Sequence, residues 1–236
     1  MNEIKYSTQI QLFNSYFDCN NELKPQSVLS VFQDVASEHG EQIGVGYLTM
    51  LEKNLFWVLS RVKYDVVKMP KINQIVLVET WPHEKGRIDF DRDYLIKSLS
   101  GEVLVKGTSK WCVIDTKTRT LSRTDAVEYT SGQFVKTVNY EERFSKVPSF
   151  EVDNLTPEFV YSVQHSDLDH NEHMNNTNYA NLIVNAIKEK RLTHFEISFV
   201  SECRLNDQIK VYFLISENQQ VCGYVNNKLV FNAMVK

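Results

Sequence analysis

Apolar residues in segment 179–187 recur at the i, i+3, i+4, i+7 and i+8 spacing of a single helix face. This spacing predicts a helix with one buried stripe. Asn175, Asn176 and Thr177 precede it, and a short side-chain oxygen at any of these positions can cap the helix by accepting from a free amide of its first turn. The stripe consists of Tyr179, Leu182, Ile183, Ala186 and Ile187.

A polar run leads into this helix, and its side chains alternate. Asp167, Asp169, Asn171 and His173 occupy every second position. If the run is extended, period-two geometry points all four side chains to one face. The pattern therefore predicts a strand, a tight polar crossing and a helix, with a carboxylate, an amide and an imidazole gathered where the helix begins. A helix start of this kind is suited to stabilising negative charge that develops in a reaction.

The N-terminal half shows the same order of elements. Residues 4–17 have the alternation of an opening strand, and from Val28 to about Ile43 the spacing is helical, with Pro25 near the start. His39, near the end of this helix, is interpreted as a helix-end cation. An antiparallel run of strands is predicted to follow over 55–67, 74–86, 87–98 and 102–116.

A second round of strand, helix and strands begins near Phe159, which indicates an internal duplication. Residues 21–27 align with residues 171–177, an alignment that places Leu23 opposite His173 and leaves the first copy without the polar series. Sheet faces that do not cover the helices are expected to form the interface between the copies. The later strands are predicted over 194–205, 208–217, 219–226 and 228–236.

The segment between the two rounds predicts a domain boundary. Charged residues, Ser and Thr dominate residues 117–157 without a sustained period, as in connections between domains. We therefore predict an α+β protein with an N-terminal domain over residues 1–130, a connection over 131–157, and a C-terminal domain over 158–236 that carries the polar series.

The composition narrows the class of protein. The chain has 236 residues, of which 42% are hydrophobic and 24% charged, as in soluble globular proteins. Its formal charge of −4 provides no basic field for nucleic acid. No apolar run of about 18 residues is present, so no membrane insertion is expected. The four scattered cysteines form no CxxC pair and favour a reducing, cytoplasmic environment.

The polar run contains the residue types of a hydrolytic site. His173 is the most versatile of them because an imidazole titrates near neutral pH. Asp169 could orient its neighbours, and Asn171 could donate to a carbonyl oxygen or position a water. Glu202 lies in a predicted strand that packing could bring alongside, and a carboxylate and an imidazole around one water form a plausible hydrolytic site. Cys203 follows Glu202 and would point to the opposite face of that strand.

Two other interpretations concern the run itself. Asp and Asn residues before a helix often serve only as turn and cap residues. A calcium loop is a second alternative, because Asp167 and Asp169 begin a series like that of an EF-hand. That motif, however, requires Gly where Glu172 stands and Glu where Asn178 stands.

Two further alternatives use the imidazole of His173 in other chemistry. Cys203 could form a nucleophilic pair with it, although an isolated Cys with apolar neighbours is more often an inert core residue. A zinc site could also form, but the histidine spacing fits no standard ligand set and no Cys lies nearby. The histidines concerned are His165, His170 and His173.

The stretch DLDHNEHMNNTNY, followed later by SEC, resembles the signature of acyl-[acyl-carrier-protein] thioesterases of the plant FatA/FatB type and their bacterial relatives. The stretches FQDVASEHGEQIGVG, FWVLSRVKY, VETWP and WCVIDTKTRTLSR resemble the first domain of that family. The resemblance covers nearly the whole chain. It implies a tandem double hotdog fold, in which each half is a long helix wrapped by an antiparallel β-sheet.

The resemblance also implies roles for individual residues. Cys203 corresponds to a Cys that was once proposed as the nucleophile in this family and has since been doubted. Asn175 is expected to help, because helix-start amides near it would hold the thioester carbonyl. The residues that correspond to the family's catalytic positions are Asp169, Asn171, His173 and Glu202.

The implied reaction is hydrolysis of a fatty acyl thioester on acyl carrier protein, which yields a free fatty acid and the carrier thiol without a metal or organic cofactor. The N-terminus resembles no transit peptide, as expected of a cytoplasmic enzyme that ends fatty-acid chain growth. A hotdog thioesterase acting mainly on acyl-CoA, a non-catalytic acyl-binding protein and a homodimer all remain open. Candidate cations for docking an acidic carrier are Arg61, Lys63, Lys68, Lys71, Lys85 and Arg87.

Overall fold

The structure is a computed structural model that describes residues 3–130, 132–144, 147, 150, 152, 155–187, 191–215 and 219–236. Within these residues lie three α-helices: α1 (Pro25–Gln42), α2 (Tyr47–Glu52) and α3 (Tyr179–Ile187). The strands are β1 (Tyr6–Gln11), β2 (Leu55–Val66), β3 (Ile75–Pro82), β4 (Phe90–Ser98), β5 (Val103–Asp115), β6 (Phe159–Ser162), β7 (His194–Phe199), β8 (Gln208–Ile215), β9 (Gln219–Val225) and β10 (Lys228–Val235).

The strands form one antiparallel sheet in the order β1-β3-β4-β5-β2-β7-β10-β9-β8-β6. The second half repeats the first in mirrored order, because β7, β10, β9, β8 and β6 take the places of β2, β5, β4, β3 and β1. Each half is therefore an α+β unit of five strands and one central helix. This repetition confirms the order of elements that the sequence predicts.

Both central helices form where their apolar spacing predicts them. Pro25 stands in the first turn of α1, where its missing amide hydrogen leaves no bond unmade. Gly44 follows α1 in the left-handed region, with φ of 74°, and allows the chain to turn away. All five residues of the α3 stripe are buried, and burying a Leu or Ile side chain contributes about 1.5–3 kcal/mol.

A loop leads into each central helix, and the two loops have the same pattern of hydrogen bonds. We call them the first crossing loop (residues 18–24, before α1) and the second crossing loop (residues 169–178, before α3). In the first loop the Asp18 amide donates to the Glu22 carbonyl over 2.9 Å, and in the second the Asp169 amide donates to the His173 carbonyl over 2.8 Å. Glu22 therefore corresponds to His173. The predicted alignment was wrong by one residue, because it followed the shared Asn-Glu letters whereas the turn is defined by its backbone bonds.

This correspondence gives the first copy a polar series of its own. Asn21 and Glu172 both adopt φ of 61°, as expected of equivalent turn residues. The prediction that the first copy lacks such a series is therefore wrong, and what it lacks is the imidazole. The equivalents of Asp169, Asn171 and His173 are Asp18, Asn20 and Glu22.

The two halves join edge to edge through β2 and β7. Val62 pairs with Ile197, and Lys63 pairs with Glu196. The expectation that uncovered sheet faces form the interface is wrong, because pairing β2 with β7 removes an exposed edge from each half. Lys63 and Glu196 occupy equivalent places in their strands, so the approximate two-fold axis passes through this pair.

The first copy has a longer path than the second from its central helix to the end of the strand at the junction of the halves, which is β2 in the first copy and β7 in the second. It takes 39 residues from Val28 to Val67, whereas the second copy takes 21 from the equivalent Tyr179 to Val200. The longer path extends α1 and adds α2. The first half therefore has additional helical residues that the second half lacks.

The connection packs on the sheet face opposite to the helices. The described part of segment 117–157 has no helix or strand longer than the single turn Thr124–Ala126 or an isolated bridge. Lys63 Nζ donates to the Glu142 carbonyl over 2.9 Å, and the Asn139 side chain donates to one backbone carbonyl of β4 and one of β5. The domain limits placed in this segment stay a prediction.

Candidate active site

A cavity of about 520 Å³ lies between α1, α2, the sheet and the second crossing loop, and its volume is typical of small-molecule sites. The first half contributes most of its apolar wall, including α2 and the end of α1, which the second half lacks. The second half contributes polar groups at one end. The apolar lining includes Met50, Trp57, Phe90 and Trp111, and the polar lining includes Asp169, Asn171, His173 and Glu202.

Asp169 organises the second crossing loop. Its Oδ1 accepts from the amide of Asn171 over 2.8 Å and from the amide of His173 over 3.2 Å. The loop is thus a compact turn, and the prediction of an extended run with four side chains on one face is wrong. A short Asp side chain offers its own backbone an alternative to strand pairing, which is the physical reason for the difference.

His173 and Glu202 meet at the edge of the cavity. The imidazole Nε2 lies 3.0 Å from Glu202 Oε2, and the two side chains are 13% and 37% exposed. This is the contact that the sequence predicts from the two residue types. The prediction that Glu202 lies in a strand is wrong. Glu202 lies in the irregular segment that follows the end of β7 at Phe199. The backbone of Val200 and Ser201 bonds to Val230 there and turns the chain towards the loop.

Two arginines also contact the carboxylate of Glu202. Arg119 Nη2 lies 3.3 Å and Arg204 Nη2 lies 4.0 Å from Oε2. Sequence reasoning missed Arg119, which stands in the turn after β5, because its contact with Glu202 joins residues 83 positions apart. The polar letters after β5 predicted the turn but carried no signal of what that turn would touch.

Asn171 and Asn175 take different parts. Asn171 is exposed and lines the cavity. Asn175 caps the short 3-10 helix that precedes α3, since its Oδ1 accepts from the amide and the hydroxyl of Thr177 over 2.9 and 3.0 Å. This confirms the predicted cap. The amides of Asn175, Thr177 and Asn178 all donate within the loop. Of the helix-start amides that were expected to hold a carbonyl, the amide of Asn176 therefore remains as the candidate, and Asn176 lines the cavity.

Cys203 is a core residue. It is fully buried, its carbonyl accepts from the Met174 amide, and it does not line the cavity. Burial raises the pKa of the Cys203 thiol to about 11. The thiol is therefore protonated at neutral pH, which disfavours it as the nucleophile that pairs with His173.

His170 and Tyr47 also line the cavity, although the sequence predicted no role in hydrolysis for either of them. The ring of His170 packs edge-on against Tyr47 of α2, with 4.5 Å between ring centroids. This contact joins the second crossing loop to the segment found only in the first copy. Asp167, in contrast, accepts from the Tyr161 hydroxyl over 2.7 Å and serves the turn before the loop.

His39 differs from the sequence interpretation. It is 2% exposed, and its Nδ1 lies 3.0 Å from Nη1 of Arg92. Burial, followed by the charge of Arg92, lowers the pKa of His39 to about 4. The imidazole is neutral at pH 7, so the prediction of a helix-end cation is wrong.

The geometry gives no support to the zinc and calcium alternatives. Over the ranges that the structure describes, no three His, Cys, Asp or Glu side chains converge as they would around a metal ion. Asp169, which the calcium alternative requires as a ligand, uses Oδ1 to bind its own loop instead.

Comparison with known families covers most of the chain. The model for the acyl-ACP thioesterase N-terminal domain matches residues 3–129, and that for the acyl-ACP thioesterase C-terminal domain matches residues 153–231. The chain belongs to the acyl-ACP thioesterase family. The resemblance found in the sequence is thereby confirmed. The first crossing loop lies in the region that matches the N-terminal domain model, and the second lies in the region that matches the C-terminal domain model.

Plant members of the family are similar to this chain. Oleoyl-acyl carrier protein thioesterase 2 of Arabidopsis thaliana, a chloroplastic protein, is 28% identical over 202 residues, which are 77% of this chain and 55% of that protein. The chloroplastic dodecanoyl-[acyl-carrier-protein] hydrolase of Cinnamomum camphora is 25% identical over 223 residues, which are 86% of this chain and 58% of that protein. The chain spans a little over half the length of these relatives.

Solved structures of the same fold extend over the whole chain. An acyl-ACP thioesterase from Bacteroides thetaiotaomicron superposes with a TM-score of 0.85 at 24% identity, covering 98% of this chain and 97% of that one. The 12:0-ACP thioesterase from Umbellularia californica superposes with a TM-score of 0.84 at 19% identity, covering 100% and 98%. These likenesses confirm the predicted α+β tandem double hotdog fold.

Proposed function

We propose that the protein hydrolyses fatty acyl thioesters of acyl carrier protein to the free fatty acid and the carrier thiol. The observation that carries the proposal is the 3.0 Å contact between His173 and Glu202 at the edge of a largely apolar cavity. An imidazole and a carboxylate in contact can activate water. In a member of the acyl-ACP thioesterase family, an apolar cavity beside that pair fits an acyl chain.

The reaction would proceed by attack of water. A water bound between the Glu202 carboxylate and the His173 imidazole gives a proton to this pair, and its oxygen forms a bond to the thioester carbon. The carbon–sulfur bond then breaks, and the pair returns the proton to the leaving thiolate. Because the two groups share a hydrogen bond, the proton is treated as held by the pair and not by one residue.

The carbonyl oxygen needs donors as negative charge develops on it. The side-chain amide of Asn171 and the backbone amide of Asn176 are the donors we assign to it, since both residues line the cavity. Asp169 and Asn175 act as positioning residues, because each binds the backbone of the loop that carries these donors. Cys203 takes no chemical part in this proposal.

The two halves would divide the work. In the predicted division, residues 1–130 hold the acyl chain, residues 158–236 carry the reacting pair, and residues 131–157 connect them. Met50, Trp57 and Phe90 of the first half line the cavity, which supports this assignment. No described helix is both long and apolar enough to cross a membrane. The cytoplasmic location, the independence from cofactors and the homodimer stay predictions.

The carrier would dock on exposed cations near the cavity. Of the six cations predicted for this role, Arg61 and Lys63 are unsuitable. Arg61 pairs with Glu196 over 2.7 Å, and Lys63 is buried under the connection. Lys68 pairs with Glu102 over 2.8 Å in the same way, which leaves Lys71, Lys85 and Arg87 as the candidates.

The proposal is tested by free-thiol release from matched carrier-linked and CoA-linked acyl thioesters over a series of chain lengths. We expect release from both, with the higher kcat/KM for the carrier-linked series. A higher value for the CoA-linked series would instead favour an acyl-CoA thioesterase. Absence of thiol release from every substrate, combined with tight binding of fatty acids, would contradict hydrolysis and favour a non-catalytic acyl-binding protein.

A further inference from the structure

A buried arginine stands in the wall of the cavity. Arg92 on β4 is 8% exposed, lines the cavity, and points to the same side of the sheet as α1, where it meets His39. Over the described residues, no carboxylate oxygen lies within 4.0 Å of its guanidinium nitrogens, although exposed arginines such as Arg123 have one. Burying a cation without an opposite charge is costly, so such a group usually serves a purpose.

The hydrogen bonds of Arg92 leave part of the guanidinium available. Nη1 lies 3.0 Å from Nδ1 of His39 and donates to Oγ1 of Thr80 over 3.2 Å. His39 can accept because its imidazole is neutral, and the Thr80 hydroxyl is oriented by its own bond to the Asp93 carbonyl. No described residue accepts from Nε or Nη2.

A second donor faces the same part of the cavity. Tyr129 lines the cavity and packs edge-on against Phe90, with 6.4 Å between ring centroids. Its hydroxyl has no hydrogen-bond partner in the described chain. Burial raises the pKa of Tyr129 to about 12, although the nearby charge of Arg92 opposes the shift. The phenol is therefore protonated at neutral pH and can donate.

This donor pair lies far from the reacting groups. Arg92 is on β4, which is separated by three strand spacings from β7, whose C-terminal extension carries Glu202. At about 4.8 Å per spacing the separation is roughly 14 Å across the sheet. The cavity between them is lined by apolar rings such as Trp57 and Trp111. An oxygen that reaches Arg92 would therefore belong to the distal part of an acyl chain.

We propose that Arg92 and Tyr129 bind an oxygen substituent on the distal part of the acyl chain, so that the preferred substrates are oxygenated fatty acyl thioesters, with a hydroxyl, oxo or carboxyl group, over plain alkyl chains. The proposal rests on the function proposed above for the thioester end. The binding of the oxygen substituent can be tested separately from hydrolysis, because a free oxygenated fatty acid can accept hydrogen bonds from the same two donors without any thioester.

The first test uses the wild-type protein. Hydrolysis is compared for carrier-linked acyl chains of equal length with and without a terminal hydroxyl, oxo or carboxyl group, over several lengths. At the best length we expect kcat/KM to be at least about 10-fold higher for an oxygenated chain, because a site built to bond an oxygen discriminates against a chain that lacks it. Equal or higher values for plain chains at every length would overturn the proposal.

The second test compares Arg92→Met and Tyr129→Phe with Arg123→Met, a change at an exposed arginine outside the cavity. Arg92→Met should lower kcat/KM for the oxygenated substrate at least about 10-fold more than it lowers kcat/KM for the plain chain. Tyr129→Phe should act in the same direction with a smaller factor. The control should leave both values unchanged. Equal effects of Arg92→Met on both substrates, or a shift only towards longer plain chains, would contradict the proposal.

Calorimetric binding of free hydroxylated and plain fatty acids keeps the two proposals distinguishable. A preference for the hydroxylated acid that is lost in Arg92→Met, without thiol release from any thioester, would retain this inference and reject the hydrolysis. Thiol release without any such preference would do the reverse. If Arg92→Met does not fold, the wild-type comparison and Tyr129→Phe decide the question.

Discussion

Glu202 presents its two carboxylate oxygens differently. His173 and two arginines contact Oε2, whereas Oε1 has no recorded partner within the described chain. One oxygen thus fixes the orientation of the carboxylate, and the other can hold a water. In the proposed reaction this asymmetry leaves Oε1 available for the attacking water.

His39 shows how burial decides the state of a titratable group. An imidazole with an ordinary pKa near 6.5 when unfolded and about 4 when folded binds fewer protons in the native state between these values. Its contribution to stability is therefore complete above pH 6.5 and is lost as the pH falls towards 4. The shift corresponds to at most about 3 kcal/mol.

We expect His39→Gln to weaken the loss of stability with acid, because Gln can accept from Arg92 but does not titrate. The free energy of unfolding in urea, measured at neutral pH and at several values down to pH 4.5, should decrease less steeply in the variant than in the wild type, by up to about 3 kcal/mol over the range. Parallel curves for the two proteins would show that His39 is not responsible.

The chain contains two crossing loops, and the proposed function depends on the second of them. Asp18 accepts from the amides of Asn20 and Glu22 over 2.8 and 2.9 Å, just as Asp169 accepts from its own loop. The aspartates thus build the turn in both copies. What differs is the side chain that the turn presents, Glu22 in one copy and His173 in the other.

Asp18→Ala and Asp169→Ala form a matched pair. Each removes an acceptor for two backbone amides and should lower the free energy of unfolding by about 1–3 kcal/mol. Only Asp169→Ala should also lower kcat/KM for acyl thioesters, because only its loop carries the imidazole. Equal activity losses in both variants would assign the effect to general destabilisation, and full activity in Asp169→Ala would remove its positioning role.

The sequence predicted regular elements better than it predicted the loops. The α3 stripe and the β2–β5 run carry strong periodicity, which buried faces impose on any sequence. The crossing loop carries none, since its shape follows from side-chain-to-backbone bonds that several Asp and Asn residues could make. For the same reason the alignment of the copies was wrong by one residue. The residue types of the proposed reacting pair were predictable, whereas Arg119 and Arg92 were not, because only the fold brings Arg119 to Glu202 and Arg92 to the cavity.

For the whole molecule, the interface between the halves contains buried charge. Glu196 on β7 is 1% exposed and pairs with Arg61 on β2 over 2.7 Å. Burial raises the pKa of Glu196, and Arg61 and Lys63 oppose this rise. A buried carboxylate of this kind depends on its cationic partners. Removal of Arg61 alone would therefore leave the Glu196 charge buried at the junction of β2 and β7 without its closest cationic partner.

Arg61→Met should destabilise the protein by about 3–5 kcal/mol, since it leaves the Glu196 charge buried with less compensation. The double variant Arg61→Met, Glu196→Gln should recover at least half of that loss, because a neutral amide costs less to bury than a carboxylate. Urea unfolding of the three proteins at one pH measures this. A double variant no more stable than the single one would contradict the account of the interface.

The duplicated fold assigns different tasks to its halves. The longer first copy encloses the cavity, and the second copy supplies the imidazole and the carboxylate. His173 is the point at which these contributions meet. Its equivalent in the first copy is Glu22, so the first copy does not repeat the contact between an imidazole and a carboxylate.

The most direct test of this account is the kcat/KM for free-thiol release by His173→Ala, with His165→Ala as the control. His165 is an exposed histidine just before the same loop and does not line the cavity. We expect His173→Ala to lose at least about 100-fold in kcat/KM, with an unchanged urea midpoint, and His165→Ala to keep wild-type activity. A His173→Ala variant that stays within a few-fold of the wild type would contradict the assignment of the reacting pair.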